Sequence, residues 1–528
     1  MTKPKFLYGA AVQGIQSFIF QTNALKEIAG ASELVEQICT VQFAKVANIK
    51  DLANDSNAIV TAAGNIKYVF ESEDECREVV FRFPKQIMEF APGITISQAV
   101  VKIEDGEINK DHIDDLEKKL RAQRNKPFRP FDVGLMSVNR SRTTGLPSVE
   151  YKNKEYNDLG IVRKRKAIES EGLEIPIYGR LVKDFFGASK VNIALDMKYI
   201  THSKSDSYSW IAVIHADGNN MGIAIQKLAE KTIDHKGAEF IKVFRSFSNA
   251  LDLSTKEAAK KAYLKVMESN PTNSNDKLPF RPIVIGGDDL TIICRADLAL
   301  EFTHHFLKIF EQESKTNFNQ LDVKIDFLKD GLTACAGIAF IKESYPFHYG
   351  YHLAETLCSE AKKSAKEGLK IDELTPSCLM FHKVQSSFVE DYKEIQKKEL
   401  IAGKNAAVIH FDFGPYYLDK PEKPSIKHLK DCVEQFSDKK GKEANAIKSH
   451  LRQWLTDLHN NSDLAEQKKM RLISMGNQSI LTFLDLNNKE ALGWSVKRII
   501  KAKNEEKQLK YSPIYDWLTI NSINQGGK

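Results

Sequence analysis

The sequence predicts an α+β protein in which two copies of a βαββαβ unit precede a helical C-terminal region. Residues 6–100 and 208–341 show the same order of apolar strands and amphipathic helices, and helical periodicity dominates from about residue 390. A chain of 528 residues is also too long for a single core. The predicted regions are a first ferredoxin-like domain at 1–140, a basic linker at 141–205, a second ferredoxin-like domain at 206–388 and a helical domain at 389–528.

The first unit begins with the apolar strand Phe6–Val12, which is followed by a largely helical stretch. Ala58–Phe70 predicts a hairpin that turns at Gly64-Asn65, and Ile94–Val100 predicts the closing strand. Neither the end of the first strand nor the hairpin turn carries a carboxylate. We therefore expect this unit to bind no metal ion.

The second unit contains the most informative stretch of the chain, Ile283–Ile293. Two apolar β-branched runs meet there at Gly286-Gly287, and Asp288 and Asp289 follow directly. Paired glycines between such runs predict a tight hairpin, because the turns that match strand twist need positive φ. Two carboxylates held side by side repel each other, and a divalent cation offsets that repulsion. An ordinary acidic turn is the alternative that this motif alone leaves open.

A third carboxylate ends the first strand of the same unit. Asp217 follows an apolar run, and Gly218 then breaks the strand before a helical segment. In a βαββαβ unit the end of the first strand lies beside the hairpin turn, so Asp217 should face Asp288 and Asp289. Three carboxylates on two strands provide hard oxygen ligands that suit Mg²⁺ or Mn²⁺.

The remainder of the second unit predicts its closing elements. Residues 232–279 predict an inserted helix and a polar loop, and Leu332–Ile341 predicts the last core strand. Tyr351–Lys366 predicts a helix on which Lys362 and Lys366 stand one turn apart. Both lysines could reach a triphosphate, and each alone is also compatible with a solvated surface position.

The C-terminal region shows amphipathic helical patterns at Ala444–His459 and Lys489–Ala502. Net charge is only +6, from 76 Lys and Arg against 70 Asp and Glu, which by itself does not indicate nucleic-acid binding. Local basic runs are compatible with a phosphate backbone, with RNA-bearing partner subunits or with a solvated face. These runs are Arg121 to Arg129, Arg163 to Lys166 and Lys439 to Lys442.

Neither a membrane span nor a signal peptide is expected. The sequence has no apolar run of about 18 residues and no basic-then-apolar leader. Its seven cysteines include no CxxC pair, and most lie in apolar strand or helix contexts, so they predict reduced core residues. We expect a cytoplasmic protein.

Several motifs together resemble the large, polymerase/cyclase-like subunit of type III CRISPR effector complexes. The match to the second Palm domain of that family is carried by His215–Gly222 (HADGNNMG), Ile283–Leu290 (IVIGGDDL), Leu332–Phe340 (LTACAGIAF) and Ala361–Lys366 (AKKSAK). Gly14–Phe20 followed by Ala29–Ser32 resembles the opening of the first Palm domain. The matched segments cover most of residues 6–385. The same Palm architecture occurs in GGDEF diguanylate cyclases and in adenylate cyclases.

The resemblance implies a nucleotidyltransferase that converts ATP to 3′–5′ cyclic oligoadenylate in antiviral defence. Two Mg²⁺ or Mn²⁺ ions would be held by the catalytic residues Asp217, Asp288 and Asp289. The implied nucleotide-binding residues are Gly218, Asn219, Gly286, Gly287, Lys362 and Lys366. The first Palm would be a catalytically silent partner that shapes a composite nucleotide pocket. Implied partners are the other effector subunits with their guide RNA and a target RNA.

The chain departs from the family pattern at three places. Arg140–Pro147 lies where many members carry a four-cysteine zinc ribbon, and it has no cysteine, so we expect no zinc. The first Palm begins at about the first residue and no adjacent His-Asp pair occurs, so we expect no HD nuclease domain and no DNA cleavage. Asn219 stands in the family's DG(D/N) motif and removes one possible metal ligand.

Three other functions stay open at this point. The enzyme could transfer adenylyl groups to a different small-molecule acceptor, or it could make cyclic dinucleotides from GTP. The duplicated unit argues against the second option, because diguanylate cyclases pair separate single Palms. The chain could also be a non-catalytic scaffold of an RNA-guided complex, but its three carboxylates argue against a silent second Palm.

Overall fold

The structure is a computed structural model that describes residues 3–526 except for the following positions: 63, 127–136, 169–179, 188–191, 203, 206, 273–275, 371, 386–390, 404–407, 421–422, 438–441, 475–496 and 503–504. It combines helices with four β-sheets. Among the described residues, no helix has both the length and the apolar character needed to span a membrane.

The N-terminal unit is a four-stranded antiparallel sheet in the order β2-β3-β1-β4. Its elements are β1 (Lys5–Gln13), α1 (Ile15–Ile19), α2 (Leu25–Gln37), α3 (Phe43–Val46), β2 (Ala58–Ala62), β3 (Asn65–Phe70), α4 (Glu73–Phe90), β4 (Thr95–Ile103) and α5 (Lys110–Arg124). Strand β1 is buried on both faces: Tyr8 packs against Phe43, whereas Leu7 joins a cluster with Leu116 of α5. The alternation of side chains along the strand explains these two different environments.

The region predicted as a basic linker contains regular elements. It comprises the antiparallel hairpin β5 (Ser148–Lys152) and β6 (Glu155–Asp158), followed by α6 (Leu159–Lys166), α7 (Arg180–Phe186) and α8 (Met197–His202). Lys164, in the basic run, is fully buried and its Nζ donates to the Phe18 carbonyl oxygen at 2.7 Å. Helix α6 lies so close to α2 that a Cβ on Gly30 would sit 1.7 Å from the Lys164 carbonyl oxygen. The basic run is therefore partly an internal packing element.

The second unit forms a six-stranded sheet in the order β14-β11-β10-β7-β9-β8, to which the C-terminal region contributes the edge strand β14 (Tyr416–Tyr417). Its elements are β7 (Trp210–Gly218), α9 (Met221–Lys231), α10 (Gly237–Ser269), β8 (Phe280–Gly286), β9 (Asp289–Arg295), α11 (Ala296–Asn319), β10 (Ala334–Lys342), α12 (Phe347–Lys366) and β11 (Cys378–Lys383). The central strand β7 pairs antiparallel with both β9 and β10, and β11 runs parallel to β10. The inserted α10 is a single helix of 33 residues.

The C-terminal region combines helices with strands. It contains α13 (Tyr392–Glu399), β12 (Ile401–Ala402), β13 (Ile409–His410), β14 (Tyr416–Tyr417), α14 (Ile426–Ser437), α15 (Lys442–Asn460), α16 (Ser462–Ser474), β15 (Lys497–Ala502), β16 (Glu505–Tyr511) and α17 (Ile514–Asn524). Four of these strands form a sheet in the order β12-β13-β16-β15. The predicted C-terminal helical domain is therefore only partly helical, because it also contains this sheet.

The helix predicted over Lys489–Ala502 is wrong for residues 497–502, which form β15 and pair antiparallel with β16. Residues 489–496 lie outside the described residues. A short apolar run fits either element, and here the pairing with β16 decides. The region also contacts the second unit. Strand β14 pairs with β11, and Trp517 of α17 is fully buried.

Candidate active site

Three carboxylates converge where β7 ends beside the turn between β8 and β9. One oxygen each from Asp217, Asp288 and Asp289 lies within 4.8 Å of the others. Antiparallel pairing of β7 with β9 places Asp217 directly opposite Asp289, and Asp288 occupies the turn. The structure thus brings together the three residues that the sequence predicts as metal ligands. Their role as ligands stays a prediction.

Glycines allow the turn and the strand end to approach each other. Gly287 has φ +61°, in the left-handed region where a side chain is unfavourable. A Cβ on Gly218 would lie 2.7 Å from the Cβ of Asp288. The Gly218 N–H donates to the Asp288 carbonyl oxygen at 3.1 Å. The backbone itself therefore accounts for these two glycines, and contact between them or Gly286 and a nucleotide stays a prediction.

The acidic cluster has perturbed acid–base properties. Burial, followed by repulsion from Asp217, raises the pKa of Asp288 to about 6. Burial, followed by the charges of Asp288 and Asp217, raises the pKa of Asp289 to about 7. Such shifts mean that the protein disfavours the ionised carboxylates when no cation offsets their charge.

Lys362 of α12 is part of this cluster. Its Nζ lies 2.6 Å from Asp217 Oδ2 and donates to the Gly218 carbonyl oxygen at 2.7 Å. Burial opposes its charge, but the Asp217 carboxylate outweighs that effect and the pKa of Lys362 is raised. Lys366 lies one turn further along α12 and is exposed. Among the described residues, no hydrogen bond or ion pair joins Lys366 to the carboxylates.

The position of α12 depends on a glycine in the neighbouring strand. A Cβ on Gly337 of β10 would lie 2.0 Å from the Ala354 carbonyl oxygen and 2.5 Å from the Cys358 nitrogen, both in α12. Only glycine allows so close an approach. Because Lys362 is one turn beyond Cys358, this contact sets how near its ammonium lies to Asp217.

Asn219 follows β7 directly, and its predicted contact with a nucleotide stays a prediction. Its side chain is fully buried, and its Nδ2 donates to Thr333 Oγ1 at 3.1 Å and to the Thr375 carbonyl oxygen at 3.4 Å. Its backbone N–H also donates to the Thr333 carbonyl oxygen at 2.8 Å. The Asn219 side chain therefore ties the end of β7 to the segments before β10 and β11. These contacts direct its amide group into the protein.

A cavity of about 750 Å³ lies beside the carboxylates and is shared by the two units. The N-terminal unit contributes Gln16 and Gly64, and the second unit contributes His215, Asp289 and Tyr351. The two units also contact each other at this place, because Gln16 Nε2 donates to Glu355 Oε1 at 3.0 Å. The volume falls within the range of small-molecule sites, about 300–1,000 Å³.

Sequence reasoning missed the residues of α10 that contact the acidic turn. Thr255 Oγ1 donates to the Gly287 carbonyl oxygen at 2.5 Å, and Asp252 Oδ1 accepts from the Gly287 N–H at 3.3 Å. Lys256 Nζ lies 2.8 Å from Asp252 Oδ2. No local motif marks Asp252 and Thr255, because they lie in a long amphipathic helix, 35 and 32 positions before Gly287.

Comparisons with known proteins agree with this architecture. Residues 210–370 match the family model described as Cas10/Cmr2, second palm domain. No curated protein matches the chain by sequence.

Three solved structures illustrate the similarity of the fold. A chain of the Csm1-Csm4 cassette in complex with cA3 has a TM-score of 0.52 and 15% identity, with coverage of 99% of this chain and 70% of that chain. A chain of the Csm1-Csm4 cassette in complex with one ATP has a TM-score of 0.52 and 12% identity, with coverage of 100% of this chain and 70% of that chain. A chain of the Csm1-Csm4 subcomplex in the type III-A CRISPR-Csm interference complex has a TM-score of 0.50 and 14% identity, with coverage of 100% of this chain and 70% of that chain.

At these identities the structural matches show the fold alone, and the family model shows a similarity over residues 210–370. The resemblance inferred from the sequence motifs is confirmed at this level: residues 210–370 match the second palm domain of Cas10/Cmr2, and the chain as a whole is similar in fold to chains of the Csm1-Csm4 structures.

Proposed function

We propose that this protein is a nucleotidyltransferase that converts ATP into cyclic oligoadenylate within a type III CRISPR-type effector complex. The observation that carries the proposal is the convergence of Asp217, Asp288 and Asp289 beside a cavity large enough for nucleotides. Csm1-Csm4 cassettes of the same fold have been solved with one ATP, with pppApApA and with cA3. Those ligands belong to the relatives, and they support the choice of substrate and product here.

The donor set of this site fits divalent cations. Three carboxylate oxygens within 4.8 Å of one another are hard ligands, and two of the three carboxyls have raised pKa values that a cation would lower. Asp217, Asp288 and Asp289 would hold Mg²⁺ or Mn²⁺. When bound, two such ions would activate a ribose hydroxyl and offset charge on the reacting phosphates.

In the proposed reaction the 3′ oxygen of one ATP forms a bond to the α-phosphorus of another. The bond from that phosphorus to the bridging oxygen breaks, pyrophosphate leaves, and the hydroxyl proton passes to solvent. Lys362 supplies positive charge at the edge of the acidic cluster, and Lys366 adds a second charge one turn away. The cavity between the two units holds the reactants together, which lowers the entropic part of the barrier.

We further propose that the two sheets are two ferredoxin-like Palms and that the first is silent. Strands β2-β3-β1-β4 and β8-β9-β7-β10 follow the same order relative to their own units. The first sheet has Gly64-Asn65 where the second has Asp288 and Asp289. Gly64 lines the shared cavity together with Asp289, so the first unit would form one wall of the nucleotide pocket.

The purified full chain should be incubated with each labelled nucleoside triphosphate and Mg²⁺ or Mn²⁺, and its products identified by mass. Cyclic oligoadenylate from ATP supports the proposal. A cyclic dinucleotide from GTP, or AMP joined to another acceptor, would replace it with a different transferase activity. The same assay with partner subunits, guide RNA and target RNA tests dependence on the complex. If neither preparation forms a nucleotide product, the scaffold role is the function that stays open.

A further inference from the structure

Side chains of α10 hydrogen-bond to both the N–H and the carbonyl oxygen of Gly287, in the turn that carries Asp288 and Asp289. Thr255 Oγ1 donates to the Gly287 carbonyl oxygen at 2.5 Å, and Asp252 Oδ1 accepts from the Gly287 N–H at 3.3 Å. Thr255 is fully buried. The turn is closed on its other side by the hydrogen bond from the Gly218 N–H to the Asp288 carbonyl oxygen.

Helix α10 makes two further polar contacts near the residues that bind Gly287. Lys256 Nζ lies 2.8 Å from Asp252 Oδ2 and 3.2 Å from Asp184 Oδ2 of α7, so the Asp252 carboxylate is fixed by an ion pair. About two turns before Asp252, Arg245 Nη2 donates to the Ala53 carbonyl oxygen at 2.9 Å. Rigid helices position a site more accurately than loops do.

The start of α10 is built into the core of the N-terminal unit. Phe240 and Ile241 are buried in one cluster with Leu7, Ile59 and Val69 of the first sheet. The same helix therefore reaches from the core of the silent unit to the acidic turn of the second unit. Any displacement of α10 would move the Gly287 backbone that it holds.

We propose that Asp252 and Thr255 are positioning residues that hold the Gly287 backbone so that the two neighbouring carboxylates point toward Asp217. This inference rests on the proposed function, because it assumes that the three carboxylates act as one metal site. Outer residues that orient metal ligands typically change metal affinity or activity about 10- to 100-fold when they are removed. A hydroxyl is required at position 255, since only a donor satisfies the Gly287 carbonyl.

The test compares Thr255→Val, which keeps the shape of the side chain, with Thr255→Ser, which keeps the hydroxyl. Mn²⁺ binding to the full chain is measured by electron paramagnetic resonance, alongside thermal unfolding. Thr255→Val should weaken Mn²⁺ binding about 10- to 100-fold, and Thr255→Ser should restore most of the affinity. Equal Mn²⁺ affinity in wild type and Thr255→Val would overturn the positioning role.

Hydrogen exchange at residues 286–290 gives a readout that needs no metal. Thr255→Val and Asp252→Ala should each speed exchange of these amides, because each removes one bond to Gly287. Asp252 is partly exposed, so its variant also serves if the valine variant does not fold. Unchanged exchange in the folded variants would contradict the inference.

The variant Asp288→Ala/Asp289→Ala separates this inference from the proposed function. If that variant binds Mn²⁺ like wild type, or if wild type binds none, the proposed metal site is wrong. The hydrogen-exchange data then test only whether Asp252 and Thr255 hold the Gly287 backbone. If it loses Mn²⁺ binding while Thr255→Val keeps full affinity and slow exchange, only the positioning role is wrong.

Discussion

Asp288 and Asp289 show at the residue scale how a fold can prepare a cation site. Burial and repulsion between the carboxylates raise their pKa values to about 6 and about 7, so each carboxyl keeps its proton to a higher pH than an ordinary aspartate does unless a cation replaces it. Lys362 offsets part of this charge through its contact with Asp217 at 2.6 Å. Metal binding at this cluster would therefore release protons.

The affinity for Mn²⁺ should rise with pH from about 5.5 to about 8 and then level off. Below the raised pKa values of Asp288 and Asp289, protons compete with the cation, and above them both carboxylates are free to bind. Isothermal titration calorimetry in buffers of different ionisation enthalpy would count the released protons. A flat affinity across this range would show that these two carboxyls do not ligate the ion.

Replacing both residues in Asp288→Ala/Asp289→Ala should lower pyrophosphate release from ATP by several orders of magnitude, roughly the scale of metal and electrostatic catalysis. The fold should persist, and the metal-free chain should gain stability. The sign follows from the raised pKa values: ionisation costs more in the folded state, so stability is lost as pH rises toward 7. The gain in melting temperature should accordingly be larger at pH 8 than at pH 5.

The matched control for this double variant is Asp114→Ala/Asp115→Ala. These two adjacent acids lie on α5, with side chains 59% and 48% exposed, and each pairs with a lysine of the same helix. The control should keep wild-type activity, because exposed ion pairs contribute little. Wild-type product formation by the Asp288/Asp289 variant would place the active site elsewhere.

At the scale of elements, the packing of α12 on β10 determines which lysine reaches the acidic cluster. Gly337 allows the helix to approach the strand, and Lys362 then meets Asp217 while Lys366 stays exposed. The helical pattern of this segment is visible in the sequence, but both lysines fit it equally well. Their different environments follow from the distance and rotation at which α12 packs.

Gly337→Ala should destabilise the protein by at least about 1–3 kcal/mol, the usual cost of overpacking a core. The added Cβ would meet the Ala354 carbonyl oxygen, and backbone cannot yield as a flexible side chain can. Urea unfolding would measure the loss. Gly222→Ala is the control: outside the adjoining backbone of its own helix, no atom of the described residues lies within 4 Å of a Cβ built there. Alanine in α9 should therefore be neutral or stabilise by up to about 1 kcal/mol.

At the scale of the whole molecule, the cavity exists only because the two units face each other. Residues of the N-terminal unit such as Ser17 and Gly64 form one wall, and Asp289 and Tyr351 lie on the other. The contact of Gln16 with Glu355 joins the two walls beside it. A nucleotide bound there would touch both units.

A tryptophan in place of Ser17 should fill part of this cavity and weaken ATP binding roughly tenfold, or about 1.4 kcal/mol. Ser17 is exposed, so the fold should tolerate the change. Its hydroxyl donates to the Gly14 carbonyl oxygen and not to a carboxylate of the acidic cluster, so Mn²⁺ affinity should stay unchanged. Equilibrium dialysis with ATP would measure the effect. Lys118→Trp on the exposed side of α5 is the control; an equal loss there would argue against a shared nucleotide cavity.

Much of the site could be predicted from the sequence because its signals are local. An apolar run that ends in Asp217, and a Gly-Gly turn followed by two carboxylates, specify strands and a hairpin through neighbouring residues alone. Antiparallel pairing then brings the strand end beside the turn, as β7 and β9 show. The order of elements in both units was predictable for the same reason.

Other features were decided only by tertiary structure. Asn219 turns into the protein because Thr333 and Thr375, more than 100 residues away, offer it partners. The strand at Lys497–Ala502 forms because β16 is there to pair with it. Thr255 reaches Gly287 because α10 packs across the turn. Each of these contacts joins residues distant in the sequence, and their free energy depends on packing that no local pattern contains.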